Sequence, residues 1–472
     1  MSQSKGSSIK RNSPPPIVFI LAFLAFLGGS YWFISHQKSD SWQQHNNAQL
    51  SNSVNNSTGT ERMSIGNGLL ISADASSEKK AGIQAFSQGN FALAVNQFKA
   101  SLQKRKNDPE TLIYLNNAQI GNKPAYKIAV SVPIGSNLNV AQEILRGVAQ
   151  AQEQINQNGG INGTPLLVEI ANDENNPEIA KEIATKLVQD SNVLAVIGHN
   201  ASDASLEAAP IYQKSQLVAI TPTSSAQNLT EIGDYIFRAV PNNRLVAERL
   251  ARQIVKSDRK TKILVCSDGK ASEKIYFQKM FISAIEAEGS QVVDTVCDFA
   301  APNFNANAIV SAAVANGAEG ILLNPHIDRF DPSIAIIKAN KGRLTLYGTS
   351  TLYTFKTLQE GQENVNGMVL AVPWHPDSSV DNSFAANAQN YWGGTVNWRT
   401  AMAYDATQAI IAGLHQSNTR EGLKQALHNP ELNAQGASEI VKFSPSGERL
   451  GDSTLVQVQP RSSGYEFVSL QQ

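Results

Sequence analysis

AVIGHNASDASLEAAPIYQKSQLVAITPTSSAQNLT, residues 195–230, is the stretch on which the reading of this chain turns. It opens inside an unbroken apolar run, 193–198, passes through polar residues into a helical stretch, and returns to a second apolar run at 217–221. An apolar run without alternation marks a strand buried on both faces, and a helix between two such strands gives a parallel crossover unit. In open parallel sheets, ligands sit beyond the carboxyl ends of the strands, where loops meet helix N-termini. Both loops here suit that task. After Gly198, Ser202 or Asp203 is placed to cap a helix, and a serine beside free backbone N–H groups can hold a carboxylate. After the second strand, Thr221, Thr223, Ser224 and Ser225 crowd hydroxyls into a polar turn.

The same alternation extends along the chain. Further strands are expected at 127–132, 166–171, 262–266, 291–296, 320–324, 344–348 and 368–372, with helices such as 178–190 between them. The fold class is therefore α/β, with doubly wound parallel sheets. Nine strands are many for one open sheet in a chain of this length, so two lobes are expected.

The N-terminal part follows other rules. The run IVFILAFLAFLGGSYWFI, 17–34, carries no charge and follows Lys5, Lys10 and Arg11. Eighteen helical residues reach ~27 Å, close to a bilayer's hydrocarbon thickness, and the flanking positive charges keep the N-terminus cytoplasmic. A basic cytoplasmic tail (1–16), a single transmembrane anchor (17–34) in the inner membrane and a periplasmic remainder are expected. A cleaved signal peptide is the rival, with Gly28, Gly29 and Ser30 as small residues, although the bulky Tyr31 and Trp32 follow at once. No cysteine follows the run, which excludes a lipoprotein anchor. Residues 35–77 are rich in Ser, Asn and Gln and read as a flexible tether, with little apolar pattern outside 63–71. From 78 to 121 the apolar spacing is helical, and Gly82, Gly89, Phe91, Ala94 and Phe98 resemble a tetratricopeptide repeat. One repeat plus a third helix at 110–119 is too little for a solenoid groove, so a helical spacer packed on its neighbour is expected.

Composition excludes several classes. With 39 basic and 40 acidic side chains the net charge is -1, which provides no field for nucleic acid. Cys266 and Cys297 permit one bridge at most, and only in an oxidising compartment. Neither a metal nor a cofactor is expected, because His and Cys do not fall in ligand spacing. The nucleophile elbow, the phosphate-binding loop and the H-E-x-x-H pair are all absent, which argues against an enzyme. His199, beside the first loop, reads as a supporting or exposed residue.

Five ordered segments carry a resemblance: NGGINGTPL (158–166), AVIGHNASDASLEAAPIY (195–212), LVAITPTSSAQNLT (217–230), YIFRAVPNN (235–243) and AMAYDATQAI (401–410). Over about 125–459 the chain resembles the periplasmic leucine/isoleucine/valine-binding protein family. The resemblance implies a two-lobed type I periplasmic binding fold that closes over its ligand, with crossings near Pro241, Pro373 and Phe443. Lobe one would combine 125–239 with 374–441, and lobe two 242–370 with 444–472. It implies a substrate-binding protein of an ABC-type uptake system, taking an amino-acid-like or other small carboxylate ligand. The partner would be a membrane permease, or a sensor partner, since an anchor plus a helical hairpin exceeds what transport needs. The segment from Ala125 onward is expected to bind ligand by itself.

The family's carboxylate clamp maps onto Ser202, Thr223 and Ser225, all hydroxyl-bearing, with Ser224 between. Elsewhere the chain departs from the pattern. The acid usual after the strand at 344–348 is replaced by Thr349, Ser350 and Thr351. The aromatic usual after Cys266 gives way to Ala271, Ser272 and Glu273, and Val140 stands where a first-lobe aromatic often lies. A hydrophobic amino acid held in the family's usual way is therefore not favoured. Asp203, Ser350, Trp374 and Arg399 are the candidates for replacement contacts; the competing readings are a helix cap for Asp203, packing under the hinge for Trp374 and, the favoured one, an exposed surface position for Arg399.

Overall fold

The computed structural model describes residues 62–378, 383–437 and 439–470. The predicted tail and anchor, and most of the predicted tether, lie outside them. Among the described residues no helix is long and apolar enough to cross a membrane.

Two sheets carry the chain. The first is ordered β1 (Met63–Ser64), β3 (Leu166–Asn172), β2 (Tyr126–Val132), β4 (Val193–Ile197), β5 (Val218–Thr221) and β6 (Ile236–Arg238). All pairs are parallel except β1 against β3. The second is ordered β15 (Gly464–Ser469), β14 (Thr454–Arg461), β11 (Val369–Val372), β10 (Thr345–Thr349), β9 (Gly320–Asn324), β7 (Lys262–Ser267) and β8 (Gln291–Val292). Its core is parallel, and the β14–β15 hairpin closes one edge antiparallel. Strand order reverses between β2 and β4 in the first sheet and between β7 and β9 in the second. Each reversal opens a crevice at the strand ends, the usual ligand position in such sheets.

The chain passes between the sheets three times: after β6, after β11 at Pro373, and between the small hairpin of β12 (Ala434–Gln435) with β13 (Ile440–Val441) and β14. The third passage is fastened to lobe one by buried ions. Arg238, fully buried, pairs with Glu448, while Arg449 pairs with Asp405 at 2.9 Å. Lobe one draws helices from both parts of the sequence. Helix Leu138–Gln157 packs on helix Trp398–Gln416 at Gly147, where a Cβ would lie 2.2 Å from the Thr400 carbonyl oxygen, so only glycine permits the approach.

Several sequence expectations need correction. The strand expected at 291–296 ends at Val292, because the chain turns away from the sheet and leaves Val296 83% exposed. That detour brings Cys297 against β7, where it is bridged to Cys266. Residues 62–77 of the expected tether are built into lobe one: β1 extends the first sheet, and Glu110 accepts hydrogen bonds from the backbone N–H groups of Leu70 and Ile71 at 2.9 and 3.2 Å. Three short helices follow, Ser77–Ser87, Phe91–Lys104 and Pro109–Ile120. Buried Lys79 ties the first to the third through Asp108 and Glu110, at 2.9 and 2.6 Å. Asn117, fully buried, then fastens the third helix to the sheet. Its amide donates to the carbonyls of Ile65 and Val168 and accepts from Val168 N–H and the Gln152 side chain. The segment shares the core of lobe one, so the expected packing on a neighbour extends to long-range bonds into the sheet.

Candidate ligand-binding cleft

The two crevices face each other across a cavity of about 90 Å³, a size for a small solute. Lobe one supplies Asn200, Ser202, Thr223, Ser225 and Arg399; lobe two supplies Glu273, Lys274, Phe277, Asn324, His326 and Thr349 to Thr351. The lobes touch here, since the Trp398 indole N–H donates to the Ser350 carbonyl at 3.2 Å.

The lobe-one wall is shaped by its loops. Gly198 has a φ of 136°, and a Cβ there would meet the Ser131 carbonyl oxygen at 2.7 Å. The next residue, His199, turns inward, with Nδ1 2.7 Å from Asp173 and Nε2 3.0 Å from the Tyr212 hydroxyl. It is a buried support. Thr221 donates to the His199 carbonyl at 2.8 Å and Thr223 to the Asn200 carbonyl at 3.1 Å, which locks the two polar loops together. Helix Ser202–Lys214 starts at Ala201, which provides no side-chain cap for its first N–H groups, and Ala201 and Ser202 line the cavity.

Of the residues proposed from sequence, Ser202, Thr223, Ser225, Ser350 and Arg399 line the cavity. Ser224 stands behind them, buried, donating to the Ser202 hydroxyl at 3.3 Å. Asp203 does not line the cavity: one residue further round the helix than Ser202, it is exposed to solvent. Trp374 lies behind the hinge rather than in the cleft, 2% exposed and packed edge-on against Phe384. A tryptophan beside a crossing fills the gap beneath it.

Lobe two holds what sequence reading passed over. A carboxylate in the cavity wall is that of Glu273, on the first turn of helix Ser272–Ala287, 4% exposed and 3.7 Å from His326. Among the described residues, Glu273 Oε2, Asn324 Oδ1 and Thr349 Oγ1 are buried acceptors without a hydrogen-bond donor, and all three residues line the cavity. Buried unpaired acceptors cost about 1–3 kcal/mol each, so three of them on residues of one cavity suit a ligand that brings donors. Two cations share the cleft. Lys274 Nζ lies 3.3 Å from the Thr351 hydroxyl, and Arg399 stacks 4.4 Å over the Trp398 ring. Burial drives the Lys274 pKa below its ordinary value and brings Arg399 down to about 10. Glu273 and Lys274 follow no motif; the one available signal was their place on the helix after β7, at the reversal point of the second sheet.

Two parallel-sheet lobes, three crossings and a polar cleft between strand ends define a hinged solute-binding receptor. The sequence pattern of the periplasmic binding protein family matches residues 125–464, and the chain belongs to that family. An amino acid binding protein from Pseudomonas aeruginosa is 36% identical over 99 residues, 21% of this chain and 26% of the relative. The chain spans about a quarter to a third of the length of the first curated relatives it matches. Among solved structures, a leucine-binding protein from Thermotoga maritima superposes with a TM-score of 0.64 at 19% identity, over 73% of this chain and 98% of that one. An ABC transporter substrate-binding protein from Desulfitobacterium hafniense, in complex with Leu, superposes at 0.63 with 21% identity, over 73% and 100%.

Proposed function

We propose that the protein captures an amino-acid-like solute outside the cytoplasmic membrane and hands it to an ABC-type permease, held near that permease by the apolar segment 17–34. One observation carries the reading: a hydroxyl wall at a helix N-terminus without a side-chain cap faces, across a hinge, a wall of unpartnered buried acceptors. The first suits a carboxylate and the second an ammonium, the two ends of an amino acid. Ser202, Thr223 and Ser225 would hold the carboxylate, and Glu273 with Asn324 and Thr349 the ammonium. The relatives support it, since two of them are described as binding amino acids.

Ligand contacts to both lobes exist together only in the closed form, so binding shifts the open–closed balance by their summed free energy. In place of delivery, a sensor would pass closure to a neighbour, and the helices of 77–120, fastened to lobe one, provide a fixed surface for that use. The test is a thermal-shift screen of the full chain in mild detergent against amino acids, dicarboxylates, amides and urea-like solutes. At a concentration of 100 times Kd a ligand adds about 2.7 kcal/mol of stability, a readily measured gain in Tm. If no carboxylate-bearing solute raises the Tm, the proposal fails.

A further inference from the structure

We infer that the cleft holds a second anionic group of its ligand between Lys274 and Arg399, so that the captured solute is a dicarboxylic amino acid. The inference rests on the cleft being an amino-acid site, and it names the class of side chain that the site accepts.

Neither cation is used up by the fold. Among the described residues no carboxylate forms an ion pair with either side chain: Lys274 has a neutral hydroxyl at 3.3 Å, and Arg399, 4% exposed, has the face of Trp398. The nearest acid to influence Arg399 through space is Glu143, which is already engaged by Arg146 at 2.5 Å and by the Thr400 hydroxyl. Burying unpaired cations is costly, and a charge kept that way in a binding cleft is compensated when an anion arrives. Through space, Glu273 and Asp268 favour the Lys274 charge and Arg399 opposes it, a repulsion that an added anion offsets.

The charged side chains lining the cavity are two cations and one carboxylate, Glu273, with His326 beside it; Asp268, which also acts on Lys274, is already neutralised by Arg329 at 2.6 Å. The fixed charge excluding His326 is therefore one positive. A zwitterionic amino acid is neutral and leaves that charge unanswered; one extra carboxylate on the side chain balances it. Placement adds a mechanical consequence. Arg399 belongs to lobe one and Lys274 to lobe two, so the second anion spans the hinge and favours the closed form directly. A lysine and an arginine from separate lobes also read distance: the side-chain carboxylate must reach both.

The test is calorimetric titration of the full chain with L-glutamate, L-aspartate, L-glutamine, L-leucine and glutarate at pH 7. L-Glutamate or L-aspartate should bind at least ~10-fold tighter than L-glutamine, whose side chain has the same shape as glutamate's without the charge. Lys274→Met and Arg399→Gln should each weaken L-glutamate far more than L-glutamine and bring that ratio to within about threefold, a ligand-dependent split that general unfolding does not produce. Arg399→Lys, which retains the charge, should keep most of the discrimination. If L-glutamine or L-leucine binds as well as or better than both acidic amino acids, the second-anion site is wrong and the amino-acid reading survives. If glutarate matches L-glutamate, the anion site stands and the ammonium contact at Glu273 falls. If none of the five binds, both readings fall together.

Discussion

Replacing Ser202 by alanine separates binding from folding. Ser202 is the first residue of its helix, but the cap is Ala201 and makes no side-chain hydrogen bond. The Ser202 hydroxyl therefore contributes nothing to starting the helix. Its one hydrogen bond among the described residues is the 3.3 Å contact from Ser224, near the long end of the range for O–H···O. Ser202→Ala removes that bond and leaves the Ser224 hydroxyl short of a partner, a loss of about 1 kcal/mol. In a chain of this size that lowers the Tm by under ~4 °C. Toward a carboxylate the same hydroxyl makes a charge-assisted bond of about 1.5–3 kcal/mol, equivalent to ~10- to 150-fold in Kd. Titration calorimetry with L-glutamate and L-glutamine, beside a melting curve, reads both effects. Loss of affinity with a nearly unchanged Tm is expected for both ligands, since both present the same α-carboxylate. Asp203→Asn provides the control, because that side chain faces solvent outside the cavity, and it should change Kd by less than about threefold. A Ser202→Ala protein that binds within threefold of the parent would refute the clamp.

Other perturbations reach different parts of the molecule. Asn117→Ala should destabilise the protein by about 2–5 kcal/mol, since it strands the Val168 and Ile65 backbone groups that Asn117 now satisfies. A chain beginning at Ala125 should melt well below the full chain; equal Tm values would show that the helical segment is only a spacer. Cys297→Ser removes a bridge over 31 residues, and the loop-closure relation gives a loss of about 3–4 kcal/mol, read by urea denaturation with and without reductant. Alkaline pH should weaken anion binding. The Lys274 ammonium, facing Glu273, Asp268 and Arg399, sits below its ordinary 10.5 because of burial, so the free protein releases this proton early and an anionic ligand draws it back. Affinity for L-glutamate should then fall more steeply than affinity for L-glutamine as pH rises through the lowered value, since loss of the α-ammonium proton affects both ligands alike. The sign for folding is opposite. Between the lowered value and 10.5 the unfolded chain holds more protons than the folded one, so the ligand-free protein gains stability as pH rises through that window. A Tm measured across pH 8–10 in the parent and in Lys274→Met checks this, and identical profiles would rule it out.

What the sequence determined by itself was local in origin. Strands buried on both faces reveal themselves as continuous apolar runs, and the loops after β4 and β5 stay attached to those runs wherever the lobes go. The hydroxyls at Ser202, Thr223 and Ser225 were legible for that reason. Tertiary structure decided whatever depended on residues far apart meeting. Asp203 and Ser202 are neighbours in sequence, yet the turn of a helix puts one in the cleft and the other in water. Trp374 follows a crossing, and its side chain went under the hinge because an indole fills a buried gap more favourably than it lines a wet one. Residues 62–77 carry the composition of a tether, but the free edge of β3 and the buried carboxylate of Glu110 give their backbone partners, and that energy outweighs a weak local preference. Placing Lys274 and Arg399 on one cavity needed both lobes, the hinge and the reversal points of two sheets. No pattern along the chain encodes that placement, because a charge is read from its surroundings, and those were supplied by the other lobe.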